Sequence, residues 1–241
     1  MSRMDIDDIL ASVSGPTTAP SQLDLQLLTR AWVAERTSPE LLPYPSALIT
    51  RVSDRISAQI ARIEDLTSAM DPSSNFALVV IQTELERFKF LVRSFLRARI
   101  AKMDAFPLHY LALARGQVGE DTEGDEEGTN GESGRNPLLS RTELQYLRHH
   151  TALLEGHYKA SFLGSFPGQL QKMNDTGGGI SMVDAPDLDQ AVFVRVLRDV
   201  GTVEVQGEQG TGDVELRRGD VWVLRWRAVR EGVRRGDLEM I

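Results

Sequence analysis

The sequence predicts an α+β protein, with an N-terminal all-helical bundle domain followed by a small C-terminal β-rich domain. Over residues 22–115 and 137–170 the apolar residues recur at steps of three and four, which is typical of amphipathic helices. Beyond Ile180 this period changes to two, which is typical of half-buried strands. The strands are expected within residues 186–241, after a glycine-rich hinge linker at 171–185.

Two further segments are predicted to lie outside the folded domains. Residues 1–21 read as a flexible acidic tail, and residues 116–136 as an acidic, glycine-rich insert with almost no apolar residue. Such an insert cannot bury enough surface to offset its ordering entropy, so we expect it to be disordered. Its acids lack the alternation and the terminal glutamate of an EF-hand loop, which argues against calcium binding.

The first helices are predicted from their start and stop signals. Asp24 is expected to N-cap the first helix, which should end before Pro39. The second helix follows Pro45 and carries apolar residues at near-heptad spacing from Ile49 to Met70.

The longest predicted helix, residues 75–103, has two unlike faces. One carries a continuous apolar stripe, formed by Ile81, Leu85, Phe88, Val92, Phe95 and Met103. The opposite face carries Lys89, Arg93 and Arg97, three successive i,i+4 neighbours of like sign that repel one another. This basic face is open to three interpretations: a solvated surface, a docking surface for acidic residues of a partner, or a contact with the DNA backbone.

We interpret this helix as an assembly helix, because it has more apolar surface than one neighbour can cover. The prediction places Leu85, Phe88, Val92 and Phe95 in cores or subunit contacts. Lys89, Arg93 and Arg97 are placed at a polar rim around those contacts.

The remaining elements follow in order. Pro107 should break or kink the chain after the long helix, and Ser140 with Glu143 fits a capping box that starts the last helix of the bundle. Strands are predicted at residues 191–197, 202–205, 213–216 and 221–227. A single helical turn closed by Gly236 and a short strand at 238–241 should end the chain.

Composition excludes several classes of function. The net charge of −8 argues against a general nucleic-acid binder, because phosphate neutralisation needs a basic surface. The absence of cysteine excludes disulfides, thiolate metal sites and cysteine nucleophiles. An acidic N-terminus is unlike a signal peptide, and no apolar run approaches the roughly 20 residues of a membrane span. We therefore expect a soluble, intracellular protein.

No motif predicts catalysis, a cofactor or a metal. The four histidines lack the spacing that brings two imidazoles to one ion. The glycine-rich residues 175–181 lack the Lys-Ser/Thr pair of a phosphate loop and are better explained as a hinge. Acids brought together only by the fold leave an unrecognised hydrolase as an open alternative.

The N-terminal tail has a pattern of its own. Ile6, Ile9, Leu10 and Val13 lie at i, i+3, i+4 and i+7, interleaved with aspartates that include Asp8. This spacing is compatible with a short helix that folds into a partner's groove, and equally with a disordered acidic leader.

Several strings of the sequence resemble one known family. DLQLLTRAWV at 24–33, PELLPY at 39–44, QTELERFKFLVRS at 82–94, GGISMVD at 178–184 and VFVRVL at 192–197 are similar to the SLD-five subunits of the eukaryotic GINS complex. The resemblance implies a nuclear, non-catalytic subunit that assembles with three other GINS subunits. It also implies action in the replicative helicase, with the minichromosome maintenance ring, which holds the ATPase sites, and the Cdc-forty-five protein.

The tail extends the resemblance. Residues 5–10 resemble the short peptide with which this family engages a trimeric replisome adaptor of the Ctf-four type. The resemblance gives Ile6, Asp8, Ile9 and Leu10 as the contact residues of that peptide. Direct DNA contact is expected to be weak or indirect; the alternative is a DNA-binding module that uses the basic face of the long helix.

Overall fold

The computed structural model describes residues 20–68, 75–118, 137–168, 171, 173, 183–207 and 210–241. Among these residues the helices lie between residues 20 and 165 and the strands lie after residue 190, so the predicted α+β class is confirmed. The helices are α1 (Pro20–Thr37), α2 (Ser46–Ser68), α3 (Asn75–Ala105), α4 (Pro107–Val118) and α5 (Arg141–Ser161), followed by a 3₁₀ turn (Leu163–Ser165). The C-terminal elements are β1 (Ala191–Val196), β2 (Gly201–Gly207), β3 (Gly210–Leu216), β4 (Val221–Arg225), α6 (Trp226–Arg235) and β5 (Leu238–Met240).

The chain divides into two compact units, and the boundary between them runs through two helices. One unit contains α1 up to Arg30, α2, and α3 up to Leu91. The other contains residues 31–46 and residues 92–241, which include the end of α3, α4, α5 and all the strands. The helical region therefore contributes to both units.

The first unit shows that the predicted cap of α1 is wrong. The helix begins at Pro20, so Asp24 lies inside it. A proline suits the first turn of a helix because its missing N–H has no helical acceptor there. The Asp24 carboxylate instead accepts hydrogen bonds from Arg51 and Arg55 of α2, each at 3.3 Å. This residue joins α1 to α2 rather than capping α1.

The predicted start of α5 is confirmed. The Glu143 amide donates to the Ser140 hydroxyl at 3.2 Å, and the Ser140 amide donates to the Glu143 carboxylate at 2.9 Å. This reciprocal pair is a capping box, and it fixes the first turn of α5 and the direction of the Glu143 side chain.

The second unit has one apolar cluster among its helices and another beneath its sheet. The helical cluster contains Leu41, Met103, Tyr110, Leu111 and Leu147. The second cluster lies in the C-terminal region, and its buried residues are Val192, Val194, Val196, Leu216, Leu224, Trp226, Val229, Leu238 and Met240. Ala34 of α1 and Leu42 of the α1–α2 connection pack against this second cluster, so helical residues help to close it.

The C-terminal strands form an antiparallel three-stranded sheet and a separate hairpin. The sheet has the order β4-β1-β5, with Phe193 opposite Val223, and β2 pairs with β3 in the hairpin. Along β1 exposed and buried residues alternate, as the two-residue period predicts. The predicted positions of these strands are confirmed, except at the end of β4.

The strand predicted at 221–227 ends at Arg225, and the following helix is longer than the single turn expected. The Trp226 amide still donates to the Gln190 carbonyl at 2.9 Å, but Trp226 already begins α6. Trp226 and Val229 are both buried, at the three-residue spacing of a helix. Gly236 closes α6 in the left-handed conformation with φ 78°, as predicted.

Gly232 of α6 and Gly156 of α5 provide a test of packing in the two parts of the chain. A Cβ on Gly232 would lie 2.6 Å from Cδ1 of the buried Leu238, whereas a Cβ on Gly156 would meet nothing within 4 Å. We expect Gly232→Ala to lower the free energy of unfolding by about 1–3 kcal/mol through overpacking. We expect Gly156→Ala to raise it by about 0.5–1 kcal/mol. Urea unfolding of both variants checks this, and equal effects would contradict the close packing of α6 on β5.

Candidate functional site

The centre of the second unit is Arg99, a fully buried arginine in the apolar stripe of α3. It lies four residues after Phe95 and four before Met103, so it takes a position that the helical period assigns to the core. Its side chain is 0% exposed. The sequence carries a signal for it, namely a charged residue in register with an apolar stripe, although Arg99 is not among the predicted site residues.

All five N–H donors of the Arg99 guanidinium have acceptors. Nε and Nη2 donate to the two oxygens of Glu143 at 2.7 and 3.1 Å, which is a bidentate pair. Nη1 donates to Glu35 at 2.9 Å and to the Leu42 carbonyl at 2.7 Å. Nη2 also donates to the Leu138 carbonyl at 2.8 Å. Since a guanidinium has five donors, its capacity is filled.

Opposing effects set the pKa of Arg99. Burial alone would lower its pKa, but the hydrogen bonds and negative charges of Glu143 and Glu35 outweigh that effect and raise the pKa. The guanidinium carbon also lies 5.3 Å from the ring centre of Tyr44 and 5.6 Å from that of Phe95. Arg99 therefore remains a cation held by two carboxylates and two aromatic rings.

Lys102 extends this arrangement by one helical turn. Its ammonium group donates to Glu35, to the Ser38 hydroxyl and to the Glu40 carbonyl, each at 2.8 Å. Burial lowers the pKa of Lys102, although the negative charge of Glu35 opposes this shift. The three bonds tie the end of α1 and the chain that follows it to α3.

Glu40 connects these helices to the C-terminal region. Its carboxylate accepts from Arg230 at 2.6 Å and from Arg234 at 3.2 Å, both residues of α6. We call the set Glu35, Glu40, Arg99, Lys102, Glu143, Arg230 and Arg234 the Arg99 network. Its inner members are buried and mutually satisfied, so the network holds elements together and is unsuited to acid–base chemistry on a substrate.

A second polar cluster lies where α3 ends. Asp104 accepts a hydrogen bond from the Tyr146 hydroxyl at 2.8 Å, and its carboxylate lies 3.3 Å from Nδ1 of His150. The hydrogen bond to Asp104 raises the pKa of Tyr146. Local spacing in the sequence does not reveal the pairing of His150 with Asp104, because it joins two helices that are distant in sequence. The cluster links the end of α3 to α5.

The structure distributes the predicted assembly residues of α3 over three environments. Leu85, Phe88 and Phe95 are buried within the chain. Val92 and Lys89 are half-buried, while Arg93 and Arg97 are exposed, as expected for a polar rim. Lys89 lies 3.3 Å from Glu86. The role of these residues as subunit contacts stays a prediction.

α3 also exposes a second apolar face that the predicted residues do not include. Phe76, Val79, Val80 and Phe90 are all exposed. At 3.6 residues per turn they fall within about 100° of arc, on the side of α3 opposite to Leu85 and Phe88. We call these four residues the outer apolar face.

The predicted adaptor peptide is outside the part of the chain that the structure covers. Ile6, Asp8, Ile9 and Leu10 precede the first described residue, as does the rest of the tail, and most of the acidic insert is likewise not described. Among the described residues, no helix is both long and apolar enough to cross a bilayer. The same residues contain no group of three or more metal-ligating side chains.

Two family models match the chain, one in each region. The model of the GINS complex protein helical bundle domain matches residues 49–162. The model of the DNA replication complex GINS protein SLD5 C-terminus matches residues 186–241. A protein of Chaetomium globosum named DNA replication complex GINS protein SLD5 is 47% identical over 99% of this chain and 100% of its own length. The chain belongs to the SLD5 family of GINS proteins.

Two further SLD5 relatives agree. The protein of Yarrowia lipolytica is 35% identical over 98% of this chain and 85% of its own length. The protein of Schizosaccharomyces pombe is 34% identical over 98% of this chain and 99% of its own length. Membership assigns the chain to the GINS complex of DNA replication, and the predicted family is confirmed. Arg99 and the outer apolar face both lie in the region matched by the helical bundle model.

The Arg99 network gives a prediction with a control on the same helix. Arg99→Leu should lower the free energy of unfolding by about 3–5 kcal/mol, because it leaves buried carboxylates without their cation. Arg97→Leu, at an exposed position two residues earlier, should change it by no more than about 0.5 kcal/mol. Urea unfolding at neutral pH measures both. If both variants lost a similar free energy of unfolding, the buried network around Arg99 would contribute no more to stability than an exposed arginine.

Tyr110 gives a prediction in alkaline solution. Burial raises the pKa of Tyr110 to about 12, and its hydroxyl oxygen accepts from the Leu41 amide at 3.1 Å. An unfolded tyrosine ionises near 10, so the stabilisation from Tyr110 is complete below pH 10 and is lost as the pH rises through about 12.

The stability difference between the native chain and Tyr110→Phe should therefore narrow by roughly 2–3 kcal/mol between pH 9 and pH 12, because phenylalanine does not ionise. Urea unfolding across this range, with phenolate absorbance recorded in parallel, measures the change. Parallel stability curves for the two proteins would show that Tyr110 titrates like an exposed tyrosine.

Proposed function

We propose that the chain is a non-catalytic scaffold subunit of the heterotetrameric GINS complex in the nucleus. In this role it assembles with three other GINS subunits and acts in the initiation and elongation of chromosomal DNA replication. The complex works as part of the replicative helicase, with the minichromosome maintenance ring and the Cdc-forty-five protein. Membership of the SLD5 family supports the assignment to the GINS complex of DNA replication. The scaffold role and the action within the helicase are our proposal.

The outer apolar face of α3 is the observation that carries the scaffold role. One side of this helix supplies the chain's own core, while Phe76, Val79, Val80 and Phe90 remain exposed on the other. Permanent subunit interfaces commonly bury about 2,000 Å² or more, with apolar residues at their centre. A helix with two apolar sides is suited to pack inside its own chain and against a neighbouring subunit at once.

The basic residues of α3 fit the edge of such an interface. Arg93 and Arg97 are exposed and Lys89 is half-buried, which suits a rim that acidic partner residues approach. In the same proposal Leu85, Phe88, Val92 and Phe95 support assembly by fixing the shape of α3. The tail residues Ile6, Asp8, Ile9 and Leu10 are proposed to engage a trimeric adaptor of the Ctf-four type.

The state of the acidic residues favours a scaffold over an enzyme. Glu35 and Glu143 are buried in ion pairs with Arg99, and Glu40 accepts from two arginines of α6. A general acid or base needs access to substrate and a pKa suited to proton transfer. These carboxylates are instead committed to holding the fold.

The test replaces one residue of the outer apolar face by a charge. Val80→Asp should weaken co-assembly with the three other GINS subunits by roughly tenfold or more, because an unpaired carboxylate would be buried at the contact. The unfolding free energy of the chain alone should change by no more than about 0.5 kcal/mol, since Val80 is exposed there. Gln82→Asp adds the same charge at another exposed position and should assemble normally.

Co-expression followed by size-exclusion chromatography with light scattering measures this result. A stable heterotetramer from Val80→Asp would exclude the outer apolar face from the interface. Salt-dependent binding of the native chain to duplex or single-stranded DNA, without assembly, would favour the alternative of a DNA-binding module on the basic face of α3.

A further inference from the structure

Strand β4 exposes apolar residues where the sheet ends. Phe193 of β1 is 59% exposed, and Val221 and Val223 of β4 are 56% and 53% exposed. Phe193 lies opposite Val223 in the register, and all three side chains lie on the face of the sheet turned away from its core. Trp222, which points to the other face, is also 36% exposed. Both faces of this strand are therefore accessible.

The backbone edge of β4 is unpaired within the described residues. The amide of Val196 donates to the carbonyl of Asp220, and that of Trp226 donates to the carbonyl of Gln190. In an antiparallel ladder these bonds alternate, so the even-numbered residues of β4 bond to β1. The N–H and C=O groups of Val221, Val223 and Arg225 then point outwards, spaced two residues apart.

This edge is short and carries one charged residue, Arg225, but it lacks the other devices that usually protect a free strand. β4 has five residues, Val-Trp-Val-Leu-Arg, and contains no lysine, proline or glycine. A mainly apolar and unpaired edge is a template for another extended chain. Its exposure is explained if another polypeptide covers it.

Charge restricts what can cover the edge. Arg225 and Arg227 lie 3.9 and 3.6 Å from the same carboxylate, that of Asp189. Glu204 lines the same cleft, but among the described residues only Asp189 brings a carboxylate within 4 Å of these two guanidinium groups. Arg225 therefore keeps donors that a carboxylate in the added chain could accept from.

We propose that the free edge of β4 accepts an extended segment of a partner protein as a fourth strand. Its apolar side chains cover Val221, Val223 and Phe193, and a carboxylate lies beside Arg225. This inference is independent of the scaffold role proposed for α3, because it concerns a different surface of the chain.

The test uses synthetic peptides and the full-length chain. The probes are fluorescein-labelled Thr-Glu-Thr-Val-Thr-Val-Thr and its reverse, which place one glutamate and two valines on one side of an added strand in either direction. Replacing the glutamate by lysine tests the charge. Successive N–H groups of a strand point to opposite edges, so the peptide has two alternating sets of backbone nitrogens. Methylating one set or the other tests the hydrogen bonds without changing a side chain.

One of the two peptides should bind, as measured by fluorescence anisotropy. Methylation of one set of nitrogens should weaken binding at least about tenfold, and methylation of the other set should not, because only one set faces β4. The lysine peptide should bind about tenfold more weakly. Bound peptide should slow hydrogen exchange at the amides of Val221, Val223 and Arg225.

Variants of the chain locate the site. Val223→Pro removes an outward amide that bonds to nothing within the described residues, and should weaken binding at least about tenfold. Val221→Asp should weaken binding similarly, because it places a charge beside a valine of the peptide, and it keeps the test valid if the proline variant does not fold. Leu153→Ala alters an exposed apolar residue of α5 and should bind like the native chain.

The outcomes are separable. Equal effects of the two methylation sets, or binding unaffected by Val223→Pro and Val221→Asp, would overturn the proposal. The chain without peptide gives a further test. If hydrogen exchange at the three amides is slow only at concentrations where the chain dimerises, the edge of β4 pairs with a second copy, and the proposal is overturned. Protection already present in the assembled complex would support the proposal and place the added strand in a neighbouring subunit.

Discussion

The burial of the Arg99 guanidinium is the constraint on which the helical part of the second unit depends. A charge removed from water costs several kcal/mol unless every donor finds an acceptor in the right place. Here the acceptors come from α1, from the connection to α2, from the residues before α5 and from α5 itself. These segments must reach their final positions together, because misplacing one leaves a donor unpaired. Buried ionic groups are weak sources of stability, and we infer that this one serves to select a single packing arrangement.

The same constraint continues into the strand region. Glu40 lies two residues before Leu42, whose carbonyl accepts from Arg99, and the Glu40 side chain accepts from α6. The backbone of one short connection thus faces the helices while its side chains meet the strand region, and Leu42 also packs on the apolar cluster beneath the sheet. A scaffold subunit benefits from such rigidity, since partner surfaces on different elements must keep a fixed spacing.

Periodicity predicted most elements because it follows from backbone geometry and burial, which act locally. The capping box of Ser140 and the glycine cap at Gly236 were predicted for the same reason. Trp226 was misassigned because an apolar residue at the end of a strand satisfies both periods, and only tertiary packing chooses between them. Arg99 was missed because its partners lie up to 64 residues away in sequence. The outer apolar face was not predicted from the sequence, because Thr83 and Arg87 interrupt the apolar pattern between Val80 and Phe90.

The contact between Glu40 and α6 has a consequence for how the chain reaches its native state. Arg230 and Glu40 are 190 residues apart, and Arg234 and Glu40 are 194 apart. Contacts between such distant residues carry a large loop-closure entropy and form slowly. During synthesis the carboxylate of Glu40 emerges long before Arg230 and Arg234, so its charge pairing cannot be completed until α6 has been made. The synthesis of α6 is therefore required before the chain around Glu40 can reach its final packing.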